Sequence, residues 1–125
     1  MEKIKIPGSV KIIGGCAFSG CVCLCDLKLE TGLVYIDCEA FFASGVRNIE
    51  IPETVAYIGK RAFVYSSLKK VRFRGHAPAI DDGAFMISMF LVDRQFEAIY
   101  PLNDPSWDVY VVEGMAGMDI RWFGV

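Results

Sequence analysis

The stretch Ile51-Pro52-Glu53-Thr54-Val55-Ala56-Tyr57-Ile58-Gly59-Lys60-Arg61-Ala62-Phe63 is one copy of a pattern that the chain carries four times. The pair Ala-Phe stands at Ala17-Phe18, Ala40-Phe41, Ala62-Phe63 and Ala84-Phe85, at spacings of 23, 22 and 22 residues. Five residues before each phenylalanine is an isoleucine: Ile13, Ile36, Ile58, Ile80. Each is followed by a small or polar residue, Gly14, Asp37, Gly59 or Asp81. Upstream, three further columns read Val10/Leu33/Val55/Ala77, Ile6/Leu29/Ile51/Phe73 and Ile4/Leu27/Ile49/Val71. Columns that keep one register through four copies are the mark of a repeat architecture, and that question comes before any other.

Each copy opens with strict alternation: Lys3-Ile4-Lys5-Ile6, Asp26-Leu27-Lys28-Leu29, Asn48-Ile49-Glu50-Ile51, Lys70-Val71-Arg72-Phe73. A period of two with one apolar side predicts a half-buried strand. Pro7 and Pro52 end the ladder, because proline has no amide donor. Turn residues follow at Gly8-Ser9, Thr31-Gly32 and Glu53-Thr54, then a short second extended piece leading to Ala-Phe. A copy of about 22 residues cannot bury its own apolar face, whereas stacked copies can. The expected fold is therefore a β-rich, right-handed solenoid of four coils. The four phenylalanines should form a buried spine, each alanine sitting where the backbone turns tightly.

Composition agrees with a single packed domain over 1–125. The chain is 54% hydrophobic and 22% charged, which argues against an intrinsically disordered chain. Its longest apolar runs, such as Met89-Phe90-Leu91-Val92, fall far short of the ~20 residues of a membrane-spanning helix. A net charge of −2 gives no electrostatic basis for binding nucleic acid. Met1-Glu2-Lys3-Ile4-Lys5 lacks the charged head and apolar run of a signal peptide, so none is expected in this stretch.

The quoted stretch, with Leu68 and Val71 after it, resembles the BspA-type leucine-rich repeat. So does Ile6-Pro7-Gly8-Ser9-Val10 through Ile13-Gly14 and Ala17-Phe18-Ser19-Gly20-Cys21. Leu29-Glu30 and Phe73-Arg74 depart from its Ile-Pro, and Asp37 and Asp81 from its glycine. The tail, with Gly75, Ala77-Pro78, Ala98-Ile99-Tyr100-Pro101, Trp107 and Ile120-Arg121-Trp122, is similar to a terminal unit that closes such arrays. The resemblance implies four repeats over 1–92 and a carboxyl-terminal capping unit over 93–125. It also implies bacterial surface or secreted proteins that engage protein partners. Its motif is structural and implies no catalytic residue, metal or cofactor.

The residues themselves leave few chemical candidates. Cys16, Cys21, Cys23, Cys25 and Cys38 lie in the first third of the chain without the second ligand pair of a structural zinc site. Cys21-Val22-Cys23-Leu24-Cys25, read as extended, puts three thiols on one side; the simpler expectation is that cysteines fill small core positions. Cys16 and Cys38 fall on successive coils, within reach of a disulfide. His76 is the sole histidine and lies coils away from the cysteines, roughly 10 Å or more at ~4.8 Å per strand, so no Cys–His pair is expected. No nucleotide-binding, serine-hydrolase or zinc-protease motif occurs.

Partner binding is expected on the outward strand positions. One column reads Lys5, Lys28, Glu50, Arg72, with Glu50 between Lys28 and Arg72. The other reads Lys3, Asp26, Asn48, Lys70, with Asp26 beside Lys3. Solenoids commonly bind along this face. The alternative function is a carbohydrate-binding module using Tyr100, Trp107, Tyr110 and Trp122, provided that two are exposed together. The first strand, at Ile4–Ile6, has a neighbour on one side only. Its free edge is expected to favour a head-to-head homodimer unless a longer chain covers it.

Overall fold

The structure, a computed structural model, describes residues 2–81, 83–85, 96–113 and 120–125. Two parallel sheets run the length of a coil of about four turns. The larger is built from the alternating segments: β1 (Glu2–Ile6), β3 (Leu24–Leu29), β5 (Asn48–Ile51) and β7 (Lys70–Phe73), then β9 (Phe96–Tyr100) and β10 (Ile120–Gly124). Its order is β1-β3-β5-β7-β9-β10. The smaller contains the two-residue strands β2 (Ile12–Ile13), β4 (Tyr35–Ile36), β6 (Tyr57–Ile58) and β8 (Ala79–Ile80), paired in that order. The repeat columns are the inward sides of these strands: Ile4 pairs with Leu27, Ile49 with Val71, Ile36 with Ile58.

The Ala-Phe segment forms a third side. The amides of Phe18, Phe41 and Phe63 each donate to the alanine carbonyl of the next coil at 2.8 Å. Their rings stack with Phe85 in one column, with centroids 5.3, 5.2 and 5.1 Å apart and planes within 12°. Phe41, Phe63 and Phe85 are fully buried. Phe18, expected to match them, is only half-buried, because no ring of the described residues covers its outer face.

The tight corner is not at the alanine. Ala40, Ala62 and Ala84 are buried, Ala17 is exposed, and the positive φ falls one residue earlier, at Cys16, Glu39, Arg61 and Gly83. A second left-handed column follows at Gly20, Ala43 and Tyr65. The left-handed region costs an L-residue roughly 1–2 kcal/mol. Three of the four copies accept that cost at the first corner, where the stacked amides fix the path. The single 23-residue interval is absorbed between Cys21 and Leu24: Leu24, Val46 and Leu68 form a further buried column, and the extra residue bulges out as a turn with Val22 72% exposed.

Beyond β8 the chain returns to the large sheet. Val71 pairs with Ala98 and Arg72 with Ile99, and β10 then pairs along the whole of β9. Between these strands, a 3-10 turn (Pro105–Trp107) leads into α1 (Asp108–Glu113). Trp107 is fully buried against Phe73, with ring centroids 4.5 Å apart, and its indole N–H donates to the Gly75 carbonyl at 2.9 Å. Asp104 caps the turn. Its Oδ1 accepts from the Ser106 amide at 3.0 Å and hydroxyl at 2.6 Å, and its Oδ2 lies 2.6 Å from His76 Nδ1. Asn103-Asp104-Pro105-Ser106 thus forms the entry to the 3-10 turn, with Asp104 as its N-cap and Pro105 at its first position. The run 89–92, Met115, Met118 and the expected boundary at 92/93 lie outside the described residues.

Two outcomes follow from this packing. Phe63→Ala should lower stability by roughly 3–5 kcal/mol and Phe18→Ala by only about 1–2 kcal/mol, read from denaturant unfolding. The hydrogen bonds from Ser106, outweighing desolvation and helped by His76, hold Asp104 below the usual carboxylate range. A depressed carboxylate contributes stability above its unfolded pKa, near 3.9, and loses it as pH falls through the folded value. Melting curves across acid pH should therefore show the gap between the native chain and Asp104→Asn closing as the pH drops below about 4.

Candidate interaction face

The outward side of the large sheet carries the two expected columns, lengthened by β9. Pairing places Lys3 beside Asp26, Asp26 beside Asn48, Asn48 beside Lys70 and Lys70 beside Glu97. Two residues along, Lys5 lies beside Lys28, Glu50 beside Arg72 and Arg72 beside Ile99. Alternation fixes these directions: in β5 and β7 the strand residues are exposed and buried by turns. Glu97 and Ile99 extend both columns. The repeat pattern had loosened before β9, so spacing alone did not bring them into register.

The ion pairs differ from those the columns suggest. Glu50 is in register with Arg72, but its carboxylate is held by Arg74, at 2.8 Å from Nη2 and 3.2 Å from Nε. Residues opposite each other on a sheet project side by side, whereas Arg74 lies past the end of β7 and folds back with two donors on one oxygen. Glu50 in turn holds the Arg74 guanidinium above its usual pKa. Lys5 reaches Glu30 at 3.6 Å, and Lys70 reaches Glu97 at 4.0 Å. These pairs are well exposed and add little stability. Among the described residues, Lys28 and Arg72 have no ion pair, and Asp26 makes none with Lys3.

These charges border an open groove of about 470 Å3, lined by Asp26, Lys28, Asn48, Glu50, Lys70 and Arg72, with Ile99 at one end. A second hollow of about 410 Å3 continues it past Glu30, Thr31, Glu53 and Arg74, sharing Lys28 and Glu50. Its rim is ordered from coil to coil. Thr31 donates to Glu53 at 3.2 Å, and Thr54 donates to the Leu33 carbonyl at 2.7 Å while accepting from the Gly32 amide at 2.9 Å. The face therefore presents charged side chains at strand spacing, some held by neighbours and some not.

The smaller sheet has an outward column of the opposite character, Ile12, Tyr35, Tyr57 and Ala79, none of them charged. Ile12 is 60% exposed, and the Tyr35 and Tyr57 rings stack with centroids 4.5 Å apart. The Tyr57 hydroxyl hydrogen-bonds Asp81, and that bond, with some desolvation, pushes its pKa up to about 12. The signal was in the sequence: the residue before each repeat isoleucine is never charged.

The remaining candidates are corrected by the structure. The cysteines do not fill the core: Cys16, Cys23 and Cys38 are exposed, and Cys21 and Cys25 are half-buried, Cys21 packing against the core from its edge. Cys21 to Cys23 is turn rather than strand, so the three thiols of that run do not share a side by alternation. Leu24 is what enters the core there. Cys38 is held above the usual thiol range, first by desolvation, then by Asp37, Cys16 and Glu39. His76 belongs to the Asp104 contact. Trp107 is fully buried, and Tyr100, Tyr110 and Trp122 are half-buried around it, with centroids 5.9–6.1 Å from its own. Tyr110 donates to the Pro78 carbonyl and accepts from the Ile80 amide, both at 3.0 Å. Trp107 thus offers no free face for a sugar. No group of three or more His, Cys, Asp or Glu that could hold a metal occurs among the described residues, nor any helix long and apolar enough to cross a membrane.

The family model for the BspA type leucine rich repeat region (6 copies) matches residues 1–98. Comparison with the curated proteins and with the solved structures finds no match. The matched span holds every coil described above, from β1 to the pairing of β7 with β9. The chain belongs to the BspA-type leucine-rich repeat family.

Proposed function

We propose that the charged strand face is a non-catalytic docking surface for a protein partner, within a bacterial surface or secreted protein. The observation that carries this reading is the pair Lys28 and Arg72, which have no ion pair among the described residues and stand beside an open groove while Glu50 is anchored by Arg74. Charges already held by neighbours keep their geometry without offering much to a ligand. The unengaged ones are free to meet carboxylates or carbonyls on a partner, which favours specificity and fast association. Family membership supports a repeat scaffold for protein interaction. In this reading residues 93–125 serve as the cap: Trp107 closes the end of the core, and β9 and β10 lengthen the face.

Self-association is a second mode, favoured by one observation. In the large sheet β1 pairs only with β3, and Ile4, Val10 and Phe18 behind it are half-buried. Where no further coil of a longer chain covers it, that edge is a template for a second copy. Sedimentation across a concentration series should show a dimer that Ile4→Lys with Ile6→Lys abolishes; a native chain that stays monomeric at high concentration argues against the mode.

For the docking face, the test is affinity capture from the surroundings of the source cell, followed by binding measurements on the captured protein. Lys28→Glu with Arg72→Glu should weaken binding at least tenfold, and added salt should weaken the native interaction. Ile12→Ser, on the smaller sheet, should leave it unchanged. The reverse pattern would move the partner to the uncharged column.

A further inference from the structure

We propose that Cys16 and Cys38 are a modification site, closed into an intrachain disulfide by exchange with a low-molecular-weight disulfide. The proposal is independent of the docking reading. The Cys16 amide donates to the Cys38 carbonyl at 3.1 Å, so the two backbones are neighbours in the stack. Cys16 shares its column with Glu39 and Cys38 lies over Gly15, so the two cysteines are one residue out of register. A diagonal of ~4.8 Å between coils and ~3.3 Å along the chain is roughly 6 Å, inside the ~4.4–6.8 Å between Cα atoms that a disulfide spans. The residue next to Cys16 is Gly15, and a Cβ there would lie 3.6 Å from Cys38 Sγ. The sulfur thus lies over a position with no side chain, adjacent to Cys16. Both thiols are exposed, so a small oxidant reaches them. Cys21 and Cys23 lie past the Gly20 corner, on the way into β3, and Cys25 lies within β3.

The exchange balances in two steps. The Cys16 thiolate attacks one sulfur of the small disulfide; that S–S bond breaks and one small thiolate leaves. The Cys38 thiolate then attacks the Cys16 sulfur of the mixed disulfide, and the second small thiolate leaves. The protein loses two protons and two electrons, and the small disulfide is reduced to two thiols. Desolvation, then Asp37, disfavours the thiolate of Cys38, and the Cys16 thiol donates to Glu39 Oε2 at 3.9 Å, so each thiol must release its proton to attack. The exchange balances equally with Cys16 attacking and Cys38 resolving or the reverse. The product ties the first coil, whose Phe18 and Ile4 are only half-buried, to the fully packed second coil. Such a link acts chiefly by restricting the unfolded chain.

The reduced protein, treated with oxidised glutathione without denaturant, should lose two alkylatable thiols and yield a Cys16–Cys38 link. No Lys or Arg separates Cys16 from Cys25, so fragment-ion sequencing must assign the link within the peptide. The oxidised form should melt at a higher temperature than the reduced one, a rise that reductant reverses. Cys16→Ser should abolish both the link and the rise, and Cys38→Ser should leave Cys16 as a stable mixed disulfide. Links formed equally through Cys21, Cys23 or Cys25 would overturn the proposal. So would a persistent mixed disulfide in the native chain, or an oxidised form that melts no higher.

Discussion

The amide of each of the first three repeat phenylalanines donates to the alanine carbonyl one coil on, at the same 2.8 Å across three junctions. This bond, with the strand ladders on the other two sides, fixes the rise of the coil near the ~4.8 Å of a hydrogen-bonded sheet. The phenylalanine rings follow at 5.1–5.3 Å, close to the distance at which flat rings stack. Two requirements, backbone hydrogen bonding and aromatic packing, are met by one spacing. Every residue must then accept as its vertical neighbours the residues of its own column. Column identity, rather than the individual side chain, is the unit of selection in such a coil.

That constraint divides the surface. Inward columns are mostly isoleucine, leucine, valine, alanine or phenylalanine, as close packing of an apolar interior favours, with Ser44 and Ser66 buried one coil apart. Outward columns are free, and the two sheets use the freedom differently. On the large sheet, charged residues and Asn48 alternate with the core; on the small one, Ile12, Tyr35, Tyr57 and Ala79 leave a surface without charge. The corners are constrained more by the backbone path than by residue type. Cys16, Glu39 and Arg61 occupy a left-handed position that Gly83 fills without strain.

The far end of the core is finished by a different device. Trp107 has no column to join, so its burial rests on partners gathered from several elements. Phe73 and Tyr100 pack on its ring, the Gly75 carbonyl takes its N–H, and Ser106 bonds the Ala77 amide at 2.8 Å. A large aromatic with one polar handle suits such a closure, because it covers much apolar surface and still satisfies its single donor. The same contacts withdraw the aromatics that a sugar would need.

Periodicity alone determined the coils: the alternation of Ile49 and Ile51 with Asn48 and Glu50 gives the strand and its direction, and the 22-residue spacing gives the neighbour. The outward columns Lys5, Lys28, Glu50 and Arg72 were legible for the same reason, since register follows from repetition. The ion pairs were not, because Arg74 lies beyond the strand, where its reach to Glu50 depends on a turn that the repeat does not specify. Nor were the exposed cysteines. In Cys21-Val22-Cys23-Leu24-Cys25 one extra residue decides which side chain enters the core, and only the three-dimensional path shows that Leu24 does. The closing segment shares no period with the coils, so tertiary structure alone aligned Glu97 and Ile99 with the face and buried Trp107. Sequence speaks where a contact is repeated; a contact made once depends on where the folded chain brings its two halves.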